Sequence, residues 1–301
     1  MTAVSTRDGS FVPAVREALP QQIVAALAQH RMATTAQLGA LLRPNATRQA
    51  VSKPVNRLRR EGLVDFVTLP DTQSRAWYLT PDGARVSRDW PHLRGRPPYP
   101  VTSGSAASMK TAHTLTAVRA HLAFAADARR RGDEHDYLDW TPEVSHPLGD
   151  SERLIADALM HYVRHGPDGR RTKLRALVEV DRATSSSERL ARKLIDYARL
   201  HTYAPVVGRR PAAGFAGPLW LRAYPVFPRI LFVLTGAGAV TLANRIEDLQ
   251  AMAAEHPLVA AFARTVPLGA AVLEEMEERG PAAAVWTPLN GRGDRRPWID
   301  L

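Results

Sequence analysis

The hydrophobic period of this chain changes at Gly62, and that change restricts what its first third can fold into. Upstream, apolar residues recur at helical spacing. Ile23, Val24, Ala26 and Leu27 follow Pro20, a residue suited to the first turn of a helix because its missing N–H has no intrahelical partner there. The spacing predicts a helix from Pro20 to His30. Thr34 or Thr35 can cap a second, with Leu38, Leu41 and Leu42 on its buried side and Pro44 and Asn45 ending it. Asn45 or Thr47 can cap a third, from Arg48 to Glu61, closed by Gly62. Pro54 inside it either kinks the helix or marks an earlier first turn. Downstream the period shortens: Leu63, Val64, Phe66 and Val67 predict one strand, residues 70–74 a turn, and Ala76 to Leu79 a returning strand. Thr80-Pro81-Asp82-Gly83 opens a further helix or turn.

Three short helices and a hairpin are the order of a winged helix-turn-helix. In such a unit the second helix of the pair enters the major groove of double-stranded DNA. Here that helix carries Arg48, Gln49, Ser52, Lys53, Asn56, Arg57, Arg59 and Arg60 around an inward stripe of Val51, Val55 and Leu58. Arg reads guanine, Gln or Asn reads adenine, and hydroxyls and other cations hold phosphates. Arg75, near the hairpin turn, is placed to reach a phosphate or the minor groove. The charge distribution agrees: the formal net charge is +10, and residues 1–100 hold 14 basic and 7 acidic side chains against 26 and 23 in the remainder. A chain this basic is expected to meet a polyanion. The alternative is a solvated basic helix in a protein-binding module.

Residues 90–109 contain Pro91, Pro97, Pro98 and Pro100, then Ser103-Gly104-Ser105, and read as a linker. Beyond it a long helix is expected over 111–131, then strands over 137–144, 153–162 and 174–181, with a turn at 166–169. A helix over 186–201, a strand over 230–234, a helix over 240–254, a strand over 258–265, a helix over 270–278 and a strand over 283–286 follow. Helices alternating with strands argue for an α/β sheet. The expected fold class is α/β (α+β overall): a flexible arm at 1–17, a winged helix-turn-helix at 18–89, the linker, a restriction-endonuclease-like mixed-sheet domain at 110–290, and a tail at 291–301.

Asp157 lies in one predicted strand, and Glu179 and Asp181 in the next, two apart and therefore on one face. An antiparallel turn at 166–169 would gather the three carboxylates. Such hard oxygens suit Mg²⁺ or Mn²⁺, which can polarise a phosphodiester and generate hydroxide. Lys193, on the following helix, is placed to stabilise negative charge. The alternative is that these carboxylates face water and that Arg189, Arg192 and Lys193 form a solvated helix face. Glu188 reads as the far member of a capping box with Ser185, and Tyr162, Tyr197 and Tyr203 as core or sheet-edge residues. The absence of cysteine excludes disulfides and thiol chemistry. No HExxH, GxSxG or phosphate-loop motif occurs, no His-x-His pair is present, and no small-molecule substrate is evident.

The pattern resembles the PD-(D/E)xK nuclease core, with two departures: Asp181 stands where that core has a lysine, and Ala156 where it has a proline. The resemblance implies catalytic roles for Asp157, Glu179, Asp181 and Lys193, with Lys193 supplying the lysine from the helix, and a metal at Asp157, Glu179 and Asp181. Six blocks together resemble the replication-relaxation family over about residues 18–288. They are Thr34-Thr35-Ala36-Gln37-Leu38, Leu58-Arg59-Arg60-Glu61-Gly62-Leu63-Val64, Tyr78-Leu79-Thr80-Pro81-Asp82-Gly83-Ala84, Leu154-Ile155-Ala156-Asp157-Ala158-Leu159, Leu177-Val178-Glu179-Val180-Asp181-Arg182-Ala183-Thr184 and Ile230-Leu231-Phe232-Val233-Leu234. That resemblance implies a role in replication and DNA relaxation of plasmids or integrated elements, with double-stranded DNA as partner and a homodimer as one arrangement. The competing expectation is a transcription regulator whose second domain is an inactive nuclease-like scaffold. With no apolar h-region in residues 1–13, and with the longest apolar stretch, 230–244, short and Gly-interrupted, a cytoplasmic protein without membrane contact is expected.

Overall fold

The computed structural model describes residues 18–70, 72–93, 104–149, 152–204, 206–207, 210–211, 217–291 and 293–301. The arm at 1–17 and residues 94–103 of the expected linker lie outside the described residues. Pro20 sits in the first turn of α1 (Leu19–His30), whose Ile23, Val24, Ala26 and Leu27 are buried. A three-residue strand, β1 (Met32–Thr34), follows and was not expected. Thr34 then caps α2 (Thr35–Leu42): its Oγ1 accepts from Gln37 N–H, while Gln37 Oε1 accepts from Thr34 N–H. These reciprocal bonds satisfy two backbone donors at the helix start. The next helix, α3 (Arg48–Arg60), runs through Pro54 without ending there and buries Val51, Val55 and Leu58. Gly62, in the left-handed region at φ 77°, releases the chain from it.

The hairpin of β2 (Val64–Thr68) and β3 (Arg75–Leu79) joins β1 in a three-stranded sheet of order β1-β3-β2, with Ala33 opposite Trp77 and Phe66 on its other side. The short α4 (Pro81–Ser87) completes this unit.

α5 (Gly104–Arg131) begins inside the segment expected as linker. It serves two cores. Val118 packs with Ile23, Leu38 and Val55 of the N-terminal unit, whereas Ala120, Phe124 and Ala128 pack on the large sheet. Arg129 donates to the carbonyls of Ala40 and Leu41, groups left without partners at the end of α2. Gln37 Nε2 likewise donates to Leu115 O.

The large sheet has the order β11-β10-β9-β6-β5-β4. β4 (Trp140–Pro147), β5 (Arg153–His165) and β6 (Arg171–Asp181) form an antiparallel meander. The chain crosses over through α6 (Ser187–Thr202) and the small hairpin of β7 (Val206–Val207) and β8 (Arg210–Pro211) to β9 (Arg229–Leu234), parallel to β6. α7 (Ala239–Glu255) and α8 (Pro257–Ala263) lead to β10 (Leu268–Val272), parallel to β9. α9 (Leu273–Arg279) and the edge strand β11 (Thr287–Pro288) close the sheet. Alternation along β6 sends Leu177 to the face covered by α6, α7 and α8, and Val178 and Val180 to the face covered by α5 and α9.

Several boundaries differ from expectation. The strand expected over 258–265 is α8 and the turn that follows it: Val259, Phe262 and Ala263 are the buried side of the helix, at its i, i+3, i+4 period. The helix expected over 270–278 is β10 followed by α9. The Gly-Ala-Ala run of β10 is buried on both sides, where small residues fit, and Gly269 faces the Leu301 side chain. Residues 283–286 form a bend instead of a strand, with Ala284 exposed, Val285 and Trp286 fully buried and Trp286 bridged to Arg296. The expected tail is packed, since Trp298 is fully buried against Phe124 and Tyr162. Among the described residues no helix is long and apolar enough to cross a membrane.

Candidate functional site

β5 and β6 pair from His165 and Arg171 up to Ala158 and Val178, and there they part. β6 continues along β9 as far as Asp181, while β5 continues along β4 as far as Arg153. The fork leaves a cleft of about 480 Å³ whose lining includes His113, Asp157, Glu179, Asp181, Arg189 and Lys193.

Asp157 and Glu179 stand at its base, one on each strand. Asp157 Oδ2 accepts from the Val180 N–H at 2.8 Å, so the carboxylate takes a backbone donor just where the ladder stops. Its Oδ1 lies 3.5 Å from His113 Nε2 and 3.9 Å from Lys193 Nζ. Glu179, 3% exposed, has Lys193 Nζ 2.7 Å from Oε2 and accepts at Oε1 from the Tyr197 hydroxyl. Lys193 and Tyr197 are one helical turn apart on α6 and therefore reach the same carboxyl.

Burial, with Asp157 beside it, pushes the Glu179 carboxyl up to about 8. Burial alone would lower the Lys193 ammonium, but Glu179 and Asp157 outweigh it and hold that group above its ordinary value. Burial also works against ionising Asp157, yet the His113 hydrogen bond, the Lys193 charge and the Val180 N–H hold it below the usual carboxylate range. The shifts are opposed because burial outweighs the favourable partners at Glu179, whereas the partners outweigh burial at Asp157.

Asp181 does not join this cluster. Its Oδ2 is 2.6 Å from Arg245 Nε on α7, and its Oδ1 accepts from Ala183 N–H at 3.2 Å and Ser185 Oγ at 3.4 Å. The loop it braces is tight: a Cβ added at Gly236, φ 83°, would stand 2.6 Å from the Arg182 carbonyl oxygen. Among the described residues no three His, Asp or Glu side chains stand together at metal-ligand spacing. His113 was outside the expected site. Its partner is remote in sequence, so no local pattern pointed to it.

On α3 the candidate residues divide into two sets. Arg48, Gln49, Lys53 and Arg60 are exposed and Ser52 half-buried, and among the described residues none has a side-chain partner. The other three are engaged. Asn56 donates to Ser52 O and accepts from Arg75, Arg57 pairs with Glu61, and Arg59 pairs with Asp65. The guanidinium groups of Arg59 and Arg75 lie 4.6 and 4.3 Å from the Phe66 ring centroid.

A sequence model described as replication-relaxation matches residues 24–210, from α1 to β8, and so contains both the α3 face and the fork. The match ends before β9, short of the later strand in the sequence blocks. No curated protein and no solved structure matches the chain.

Proposed function

The chain belongs to the replication-relaxation family, and we propose that it binds double-stranded DNA of plasmids or integrated elements and nicks it at the β5–β6 fork. The N-terminal unit then acts as a winged helix-turn-helix that selects the site, with α3 in the major groove, and the helix–meander–crossover–strand order of α5, β4 to β6, α6 and β9 acts as a PD-(D/E)xK-like core. The observation that carries this reading is the reach of Lys193. From α6 it meets Glu179 at 2.7 Å and Asp157 at 3.9 Å, so the two carboxylates and the lysine of such a core stand together although Asp181 occupies the usual lysine position.

Asp157 and Glu179 supply two hard oxygens to the cleft, a set that fits one Mg²⁺ or Mn²⁺, whereas Asp181 is committed to Arg245. Such an ion, when bound, supplies Lewis-acid polarisation of a phosphodiester. Lys193 then lies beside the phosphate and offsets the charge that develops on its non-bridging oxygens. The Val180 N–H and Tyr197 hydroxyl hold the two carboxylates in place.

Supercoiled plasmid incubated with protein and Mg²⁺ or Mn²⁺ tests this. Nicked circle is expected with wild type, and removal of Lys193 by Lys193→Met is expected to slow nicking by about 100-fold or more. Equal nicked circle from wild type and Asp157→Ala would sink the catalytic part. A second reading, a transcription regulator with an inactive scaffold, is favoured by one observation: both Glu179 oxygens already have protein donors. It expects a footprint on the protein's own promoter that is indifferent to metal. In either case the DNA is cytoplasmic, and two copies on a palindromic site would follow the two-fold logic of helix-turn-helix readers, which sedimentation of the DNA complex checks.

A further inference from the structure

We propose that Arg31 and Glu143 are positioning residues for Asp157, so that the DNA-reading unit helps to build the cleft it serves; this rests on the function proposed above. Four non-glycine residues among those described have positive φ: Arg31 at 67°, Gln73 at 52°, Glu143 at 50° and Ala183 at 54°. Such backbone is rare for residues with a Cβ and persists where surrounding contacts enforce it. Gln73 belongs to the β2–β3 hairpin turn, and Ala183 to the loop braced by Asp181. The other two hold each other. Arg31, directly after α1, meets Glu143, inside β4, at two points: Nη1 to Oε1 at 2.6 Å and Nη2 to Oε2 at 2.5 Å. This is the parallel fork geometry that fixes orientation as well as distance.

The consequence appears in the sheet. β4–β5 pairing passes from Pro142–Ala158 to Val144–Ala156 and skips Glu143 and Asp157. On its other side β5 stops pairing with β6 at Ala158–Val178. Asp157 is therefore in no completed pair, and its carboxylate takes the Val180 N–H. The left-handed backbone at Glu143 leaves that pair incomplete, although the register runs unbroken through it. Relaxed to extended backbone, Glu143 would complete that pair and change the setting of the Asp157 backbone, whose carboxylate takes the Val180 N–H. Gln29 Nε2, donating to Trp140 O at 2.6 Å, and His30, 3.2 Å from Tyr137 O, bring the end of α1 to the start of β4, so the Arg31 fork does not stand alone. A contact that only docked the two units would need neither a left-handed backbone on both partners nor a gap in pairing at the candidate site residue.

Amide exchange of the full chain, followed residue by residue by NMR, tests the assignment without relying on activity. Arg31→Gly removes the guanidinium while keeping a residue at ease with positive φ, and Glu143→Gln keeps the side-chain shape without its charge. Both are expected to speed exchange at the Val180 amide by about tenfold, with the central-strand amide of Val233 unchanged. The exchanged pair Arg31→Glu with Glu143→Arg is expected to recover most of the protection. In the nicking assay the single variants are expected to lose kcat with KM for DNA unchanged. Val180 exchange within about twofold of wild type in both variants overturns the proposal, as does faster exchange at Val233 and Val180 alike, which marks general loosening. A wild type that does not nick sinks the proposed function, and Val180 exchange then decides the positioning role alone.

Discussion

Asp181 carries the clearest lesson at the scale of single residues. Strand alternation correctly put it on the face of Glu179, but a shared face is not a shared site. Its carboxylate meets Arg245 across a sequence separation of 64, and both side chains are under one-tenth exposed. Strand period and helix reach made Asp157, Glu179 and Lys193 legible as neighbours, because those depend on local geometry. The Arg245 partner and the His113 contact with Asp157 depend on how distant helices land, which no local pattern encodes. A buried pair stripped of one partner leaves an uncompensated charge, so Arg245→Met is expected to lower unfolding free energy by about 3–5 kcal/mol. Urea denaturation reads this as a fall in midpoint. Adding Asp181→Leu is expected to restore most of the loss, and a double variant as unstable as the single one would contradict a charge-burial cause.

At the scale of elements, α3 separates reading from bracing. The residues without side-chain partners among the described residues, Arg48, Gln49, Ser52 and Lys53, precede Pro54, and Arg60 lies at the far end. Asn56, Arg57 and Arg59 are tied to Arg75, Glu61 and Asp65. The first half is thus available to bases and phosphates, in keeping with recognition helices that read from their N-terminal residues. Arg48→Ala and Lys53→Ala are each expected to reduce the slope of log affinity against log salt by about 0.9. Arg59→Ala is expected to leave that slope nearly unchanged, because its guanidinium is held by Asp65 and Phe66. Fluorescence anisotropy across a salt series distinguishes them, and equal slopes for all three variants would contradict the division. The same scale shows why some elements were misread. α3 and α6 each present a long amphipathic period, whereas α8 is a short apolar run that periodicity does not separate from a strand. β10 is built from Gly and Ala, which have little strand preference and become a strand only because β9 lies beside them.

At the scale of the molecule, the Pro-rich segment suggested two units held apart, yet α5 packs into both cores. The seam contains three buried histidines from three segments: His30 of α1, His121 of α5 and His135 before β4. Their rings lie 4.9 Å apart in sequence order, and His121 stacks on Trp140 at 5.2 Å. Burial lowers all three. His30 and His135 fall to about 4, and His121, also facing the other two, falls well below its ordinary value. Carbonyls of Tyr137, Asp136 and His161 face the rings, and Arg129, Asp136 and Asp139 add smaller charge effects. A histidine lowered in the folded state is neutral there while the unfolded chain takes up protons, so its stabilisation is complete above about 6.5 and is lost as pH falls through 4. For His30 alone the loss by pH 4 is on the order of 3 kcal/mol. Carboxylates also titrate in that window, so the informative quantity is a difference between proteins. His30→Gln can keep a donor for Tyr137 O while removing the titration. Its melting temperature is expected to fall less than that of wild type between pH 7 and pH 4.5, the two curves converging toward the acid end. Parallel curves over that range would mean that the seam between the units does not sense protons through His30.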